Sequence, residues 1–432
     1  MIIYDAGHPR VTRIKQIKKY FRITLAGIAL LNLNCAQTSF PPHHLHRATS
    51  AETVSSPLAF DFNHDGRKEI VIGSFDGNCY LLDDSLRDLP AWPKFSHNGF
   101  FSSPALWHID KSATPEIFIG SDNGALLGWH IDGSRARGFP ITLEKQIWSS
   151  PAIIADSLIA IGGEGKMFVF NRNGNLAAGW PQEIRGWASA SPAWHEDLLV
   201  IATLTRGETS RGYLYAWHLS GALYPNFPLH LEMDSDSSPS LADLDRDGQV
   251  EIVLGDDAGL LHAFRLEGNE LPNFPRLLGE AVQASPAIAD INDDGMLDLI
   301  IGTTDGALHA WNALGDCVLG WPARIGGEIN GSAALARIAN GEARIIVGAG
   351  NHRLYAFHSD GKIAKGFPMD CGDAIFSSPL VDDLDHNGML DIVVGANNGI
   401  HLIKDQWPVY QGERKTAWPM FRHNAQRTGA LE

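Results

Sequence analysis

The chain has 432 residues, 44% hydrophobic and 19% charged, so it can bury a large core and is neither disordered nor collagen-like. Its 44 glycines and 23 prolines favour many turns over long helices, which points to an all-β fold. The formal net charge is −16, and residues 1–34 hold six basic side chains against one acid, which leaves 28 basic and 49 acidic residues beyond them. A body of net charge −21 repels nucleic acid and anionic lipid and suits cations as partners.

At the N-terminus, Lys15, Lys18, Lys19 and Arg22 precede the apolar run Ile23–Leu31. This is the layout of a secretory signal, expected over residues 1–35, and it is too short to span a bilayer as a stable helix. Cys35 closes the run, but Asn34 precedes it and Asn32 stands where a lipoprotein signal carries an aliphatic residue. Export to the periplasm, the cell surface or the medium is expected, with lipid anchoring through Cys35 as the weaker alternative. Residues 36–50 read as a linker. Cys79, Cys317 and Cys371 are too few and too scattered for a disulfide framework, although one pair, such as Cys317 with Cys371, can form in an oxidising compartment.

From residue 51 onward one unit recurs. Ser-Ser-Pro or a variant ends at Pro57, Pro104, Pro151, Pro192, Pro239, Pro286, Ala333 and Pro379. Trp-Pro or Phe-Pro places a second proline at 93, 140, 181, 228, 275, 322, 368 and 408, each of the first seven being eleven residues ahead of the next Ser-Ser-Pro proline. Between these markers lie a short apolar stretch, a β-branched run such as Glu251–Gly255, an aromatic stretch such as Leu308–Trp311 and the Trp-Pro segment. Four short strands with turn residues between them make one antiparallel sheet, and a lone sheet of about 47 residues cannot bury both faces. The expectation is an all-β, eight-bladed β-propeller over residues 51–411, with seven blades as the alternative. Residues 412–432, which repeat the marker at Trp418-Pro419, are expected to close the ring where blades one and eight meet.

Four units carry a complete acidic loop between their first two strands. The ligand positions are Asp61, Asn63, Asp65 and Glu69; Asp243, Asp245, Asp247 and Glu251; Asp290, Asn292, Asp294 and Asp298; and Asp383, Asp385, Asn387 and Asp391. Oxygen-bearing side chains at positions 1, 3 and 5 converge when such a loop curls, glycine at 6 permits the turn, and the acid at 9 completes an all-oxygen cage suited to Ca2+. Position 12 is Ile72, Leu254, Ile301 or Val394, inside a strand, so the loops are not EF-hands. Unit two keeps only His108, Asp110, Ser112 and Glu116, and units three, four and seven have lost the set. Calcium is therefore a local staple.

The acidic loop followed by Glu69-Ile-Val-Ile-Gly73 resembles the FG-GAP or VCBS repeats of integrin-α-like propellers. The aromatic strands and the ending Trp418-Pro-Met-Phe-Arg-His-Asn424 are similar to the quinoprotein-like repeat propellers of bacterial envelopes. This resemblance covers most of residues 51–432 and implies a secreted or surface-exposed, calcium-bound propeller used for adhesion, carbohydrate contact or assembly. Fold alone does not assign the activity.

The residue before each Ser-Ser-Pro marker points toward the ring's mouth. Phe101, Trp148 and Phe376, with Val54, give an apolar arc; Asp236, Gln283 and Asn330, with Ser189, give a polar one. This rim is expected to take a glycan or a protein ligand, the aromatics stacking and the polar groups hydrogen-bonding. No zinc-protease, nucleophile-elbow or phosphate-loop motif occurs, and the recurring His130, His218 and His358, like His262 and His309, read as structural. The chain is expected to be a monomeric, non-enzymatic, calcium-binding adhesion module without a transmembrane span. A polysaccharide lyase, a quinoprotein dehydrogenase and an envelope assembly scaffold are the alternatives.

Overall fold

The computed structural model describes residues 41, 43–110, 112–205, 211–412 and 418–431. The chain divides into two units, Met1–Ser39 and Phe40–Glu432, and all described residues belong to the second. The expected signal segment and Cys35 lie outside the described residues.

The second unit is an eight-bladed β-propeller of four-stranded antiparallel sheets, as the repeat predicts. Blade 1 runs Leu58–Phe60, Glu69–Gly73, Asn78–Leu82 and Lys94–Phe95 from the axis outward, and the next six blades repeat that order. The second strands are buried along their whole length in most blades, because each lies mid-sheet with a neighbouring blade on both faces. Glycine ends these strands for a steric reason. A Cβ at Gly255, Gly302 or Gly348 would strike Val282, Ile329 or Ile375, the β-branched side chain that enters from the loop leading to the next blade. No helix among the described residues is long and apolar enough to cross a membrane.

The Ser-Ser-Pro marker closes the ring. The backbone N–H of its second residue donates to the Oγ of the equivalent serine one blade on, from Ser56 through Ser103, Ser150, Ser191, Ser238, Ser285, Ser332 and Ser378 back to Ser56, at 2.8–3.0 Å. Seven blades would leave this circuit with a member unplaced. The Trp-Pro marker ties blades farther out, where the indole N–H of Trp92, Trp180 and Trp321 reaches a carbonyl of the following blade at Ile131, Leu219 and Ser359.

Two expectations about the chain ends are corrected. Part of the expected linker, His44–Ala48, is a strand that pairs with Gly399–Pro408 and becomes the outer strand of blade 8, so the seam is closed by the N-terminal side. The expected closing tail instead crosses the central channel. Its backbone carbonyls at Trp418, Pro419, Ala425, Gln426, Thr428 and Gly429 accept from Leu335, Val381, Leu106, Ile153, Trp194 and Leu241 on the innermost strands of blades 7, 8, 2, 3, 4 and 5. An innermost strand is a sheet edge with N–H groups facing the axis, and the tail satisfies them.

Two arginines anchor the plug. Arg427 donates to the carbonyls of Pro104, Ser56 and Pro57 at 2.9–3.1 Å, and Arg422 to those of Pro192 and Pro239. Both are fully enclosed, and burial pushes each guanidinium down to about 9. Carbonyl dipoles from the Ser-Ser-Pro segments take the place of a carboxylate partner.

Candidate functional site

Strand alternation gives the ring two chemically distinct ends. Loops between first and second strands emerge at one end; loops between second and third strands, and those leading to the next blade, emerge at the other. All four acidic loops share the first end. The position-9 acid reaches back to accept the N–H of position 2: Glu69 from Phe62, Glu251 from Leu244, Asp298 from Ile291 and Asp391 from Leu384, at 2.8–3.2 Å. The glycine N–H at position 6 donates to the position-1 carboxylate at 2.9–3.1 Å in each. One conformation recurs four times, and it leaves oxygens over.

Buried Oδ1 atoms of Asp243, Asp290, Asp298 and Asp385 accept no hydrogen bond. In blade 5, Asp243, Asp245 and Glu251 each bring an oxygen within 4.8 Å of the others. Burial, with the neighbouring loop carboxylates adding to it, raises Glu251 and Asp298 to about 7 and Asp391 to about 6 against backbone N–H bonds that pull the other way. A hard cation would reverse that penalty, and the donors present are those such an ion takes.

The loops differ in what else approaches them. In blade 5 the Arg265 guanidinium sits 2.5 Å from Asp245, and in blade 8 the Lys404 ammonium sits 2.8 Å from Asp385. The equivalent residue in blade 6, Asn312, instead caps its own turn by accepting from Leu314 and Asp316. In blade 1 the neighbouring cations go elsewhere, Arg67 to Asp84 and Lys68 to Asp382. In blade 6 the Arg337 guanidinium donates to the Asp290 carbonyl at 2.6 Å and pairs with Asp293 at 2.9 Å, so in loops 1 and 6 the carboxylates at the ligand positions form no ion pair among the described residues.

In three of the four blades with an incomplete loop, blades 2, 4 and 7, histidine occupies that same strand position, and in blade 3 it is Asn171. His130 Nδ1 lies 3.1 Å from Glu116, His218 lies 2.7 Å from Asp197, and His358 lies 3.7 Å from Glu342. Asp110, Glu116 and His130 form a compact group that sequence reasoning did not assemble. The recurrence of the histidine at the same strand position in blades 2, 4 and 7 was the available signal.

At the opposite end two of the expected rim aromatics lie ring to ring and two further rings join them. Phe101 and Trp148 approach ring to ring at 5.7 Å, and the series is extended by Phe75 beyond Phe101 (6.2 Å) and Trp187 beyond Trp148 (5.1 Å, edge to face). Phe101 is 44% exposed, while Trp148 and Trp187 are half-buried. Phe376 makes no ring contact among the described residues. An open pocket of about 400 Å3 adjoins Trp187, with Asp122, Glu144, Gln146 and Glu164 in its wall. Burial raises the Asp122 carboxyl to about 6 despite a bond from Trp148. On the polar arc Ser189 donates to Asp236 at 2.5 Å, Gln283 is half-buried, and the Asn330 Oδ1 is buried without a partner. Phe75 and Trp187 were missed because they lie outside the marker loops, in a hairpin turn and at the end of an outer strand.

These features define the class: a β-propeller with acidic loops at one end and an aromatic rim at the other. Solved structures similar to it include BamB from Moraxella catarrhalis (17% identity, TM-score 0.56, 85% of this chain and 100% of that one). Sqt1 from Saccharomyces cerevisiae is similar at 13% identity (TM-score 0.62, 85% and 98%), as is the computationally designed Ika8 protein at 14% (TM-score 0.55, 84% and 98%). At such identities the likeness establishes the fold alone. No family model matches the chain, and no curated protein matches it. The FG-GAP or VCBS resemblance therefore rests on the loops themselves.

Proposed function

We propose that this chain is an exported, non-enzymatic propeller, stapled by Ca2+ at its acidic loops, that binds a glycan at its aromatic rim. The observation that carries the reading is the run of four aromatic rings across blades 1–3 beside a pocket walled by carboxylates, amides and Lys145. Flat, partly exposed rings stack on the apolar faces of sugars, and adjacent carboxylates and amides accept and donate to hydroxyls. Calcium at the far end would hold first-strand hairpins rigid without touching the ligand, consistent with an anchoring rather than a catalytic role for the ion. The basic and apolar N-terminal run supports export.

A glycan array probed with the calcium-loaded chain tests the proposal. Binding that falls at least tenfold in Phe101→Ala and Trp187→Ala, with circular dichroism and melting unchanged, supports it. Glycan binding that is indifferent to both substitutions, or absent while a protein ligand binds the same rim, overturns the glycan assignment.

A further inference from the structure

The joint that closes the ring carries a cluster unlike the acidic loops. His44 on the N-terminal strand, His401 on the adjacent strand Gly399–Pro408 and Cys371, one residue past the outer strand of blade 7, offer two imidazole nitrogens and a thiol within 4.8 Å of one another. All three are buried, Cys371 and His401 completely. We infer that His44, Cys371 and His401 bind a zinc-class transition-metal ion that pins the N-terminal strand to blades 7 and 8.

The hydrogen bonds around the cluster orient the imidazoles. Asn398 Nδ2 donates to the Cys371 carbonyl at 2.8 Å, which turns Asn398 Oδ1 toward His401 Nε2, also at 2.8 Å. His401 Nε2 must then carry the proton, and its Nδ1 presents a lone pair to His44 Nε2, 2.9 Å away. An imidazole that donates its far nitrogen to an amide or carbonyl oxygen while the near one faces the centre is the usual second shell of a metal-bound histidine. His46 stacks on His401 at 4.4 Å and is held by the Asn398 carbonyl at 3.2 Å, which fixes the plane of the ring.

The chemistry of the three donors narrows the ion. Two neutral imidazoles and a thiol suit zinc or its spectroscopic substitute cobalt, and they do not suit calcium. Zinc bonds of about 2.0–2.3 Å at tetrahedral angles set ligand atoms about 3.3–3.6 Å apart, so the His44–His401 pair need open by only about 0.4 Å. The three positions come from the two ends of the propeller and from the preceding blade, so one ion would bridge the break in the ring that backbone connectivity leaves.

The test uses the full-length chain without an affinity tag, stripped by chelator, resupplied with calcium and titrated with cobalt under reducing conditions. The expected result is a thiolate-to-cobalt charge-transfer band that saturates at one cobalt per chain, is lost in Cys371→Ser and is displaced by zinc. Asn398→Ala, which keeps every ligand, should weaken cobalt binding about 10–100-fold. Zinc should raise the melting midpoint of the parent chain and leave that of Cys371→Ser unmoved. No band in the parent chain, or a band that persists in Cys371→Ser, overturns the site. Cobalt bound without any zinc-dependent rise in melting overturns the pinning role.

Discussion

Blades 5 and 6 are neighbours on one 47-residue plan, yet they neutralise the same acids differently. In blade 5, His262 lies between Asp256 (3.4 Å) and Glu270 (2.7 Å), and Arg265 covers Asp245. One period later the positions of Asp256, Glu270 and Arg265 are held by Thr303, Cys317 and Asn312, while the histidine is kept as His309. Burial then dominates that ring, with Arg324 adding to it and Asp305 opposing it: its pKa falls to about 4, and neither nitrogen has a hydrogen-bond partner among the described residues. Blade 5 sets Arg265 directly on a ligand carboxylate, whereas in blade 6 Arg337 reaches only Asp293 and the Asp290 carbonyl; buried loop oxygens stay unpaired in both, one on Asp243 in blade 5 and one each on Asp290 and Asp298 in blade 6. A propeller blade thus tolerates either solution, and the choice is made outside the residues that define the strands.

The largest effect should come from removing the charge in blade 5. His262→Leu strands the fully buried Asp256 and is expected to cost about 3–5 kcal/mol, read by urea unfolding. His309→Leu, which replaces a neutral ring lacking partners, should stay within about 1 kcal/mol. Equal losses would break the comparison. The pair also predicts a pH dependence. Burial lowers the His262 pKa, but its bonds to Asp256 and Glu270 outweigh that and raise it from 6.5 to about 9. A raised folded-state pKa adds stability that is fully present below about 6.5 and is lost as pH climbs through about 9. The parent chain should lose stability across that window, and His262→Leu should flatten the loss.

Such a contrast is partly legible in sequence. The two proline markers keep a fixed offset, so blade number and strand order follow from counting, and the 1-3-5-9 oxygen spacing locates the loops. Register carries what spacing does not. His44–Ala48 has no marker of its own, and only its pairing with Gly399–Pro408 makes it the eighth blade's outer strand. The tail reads as one more Trp-Pro unit, but its two arginines find no carboxylate among the described residues and instead meet the carbonyls of four Ser-Ser-Pro segments around the channel. His44, Cys371 and His401 are separated by hundreds of residues, and Phe75 and Trp187 join the rim through loops that carry no repeated marker.

The next effect in size separates the blades by metal. If Ca2+ occupies loop 6, saturation at a hundredfold excess over Kd adds about 2.7 kcal/mol to stability. Asp298→Asn should remove most of that increment, because the position-9 oxygen also fastens the Ile291 N–H. Glu251→Gln should remove less, since Arg265 already offsets charge in loop 5. Calorimetric melting with and without chelator reads both, and equal chelator sensitivity in the two variants would contradict the ranking.

The smallest effect is an exchange of the two neighbours' solutions. Arg265→Asn should free Asp245 and make loop 5 resemble loop 6, raising its calcium affinity several-fold. Asn312→Arg should place a guanidinium over Asn292 and Asp294 and lower the affinity of loop 6 by a similar factor. In the absence of calcium neither change should exceed about 1 kcal/mol, because a partly exposed ion pair contributes little after solvent screening. Isothermal titration of the two variants separates the outcomes. Opposite shifts in affinity would assign the difference between the blades to one side chain at the end of the third strand. Shifts in the same direction would overturn that assignment, because the loop backbones of blades 5 and 6 already agree and offer no other source for the difference.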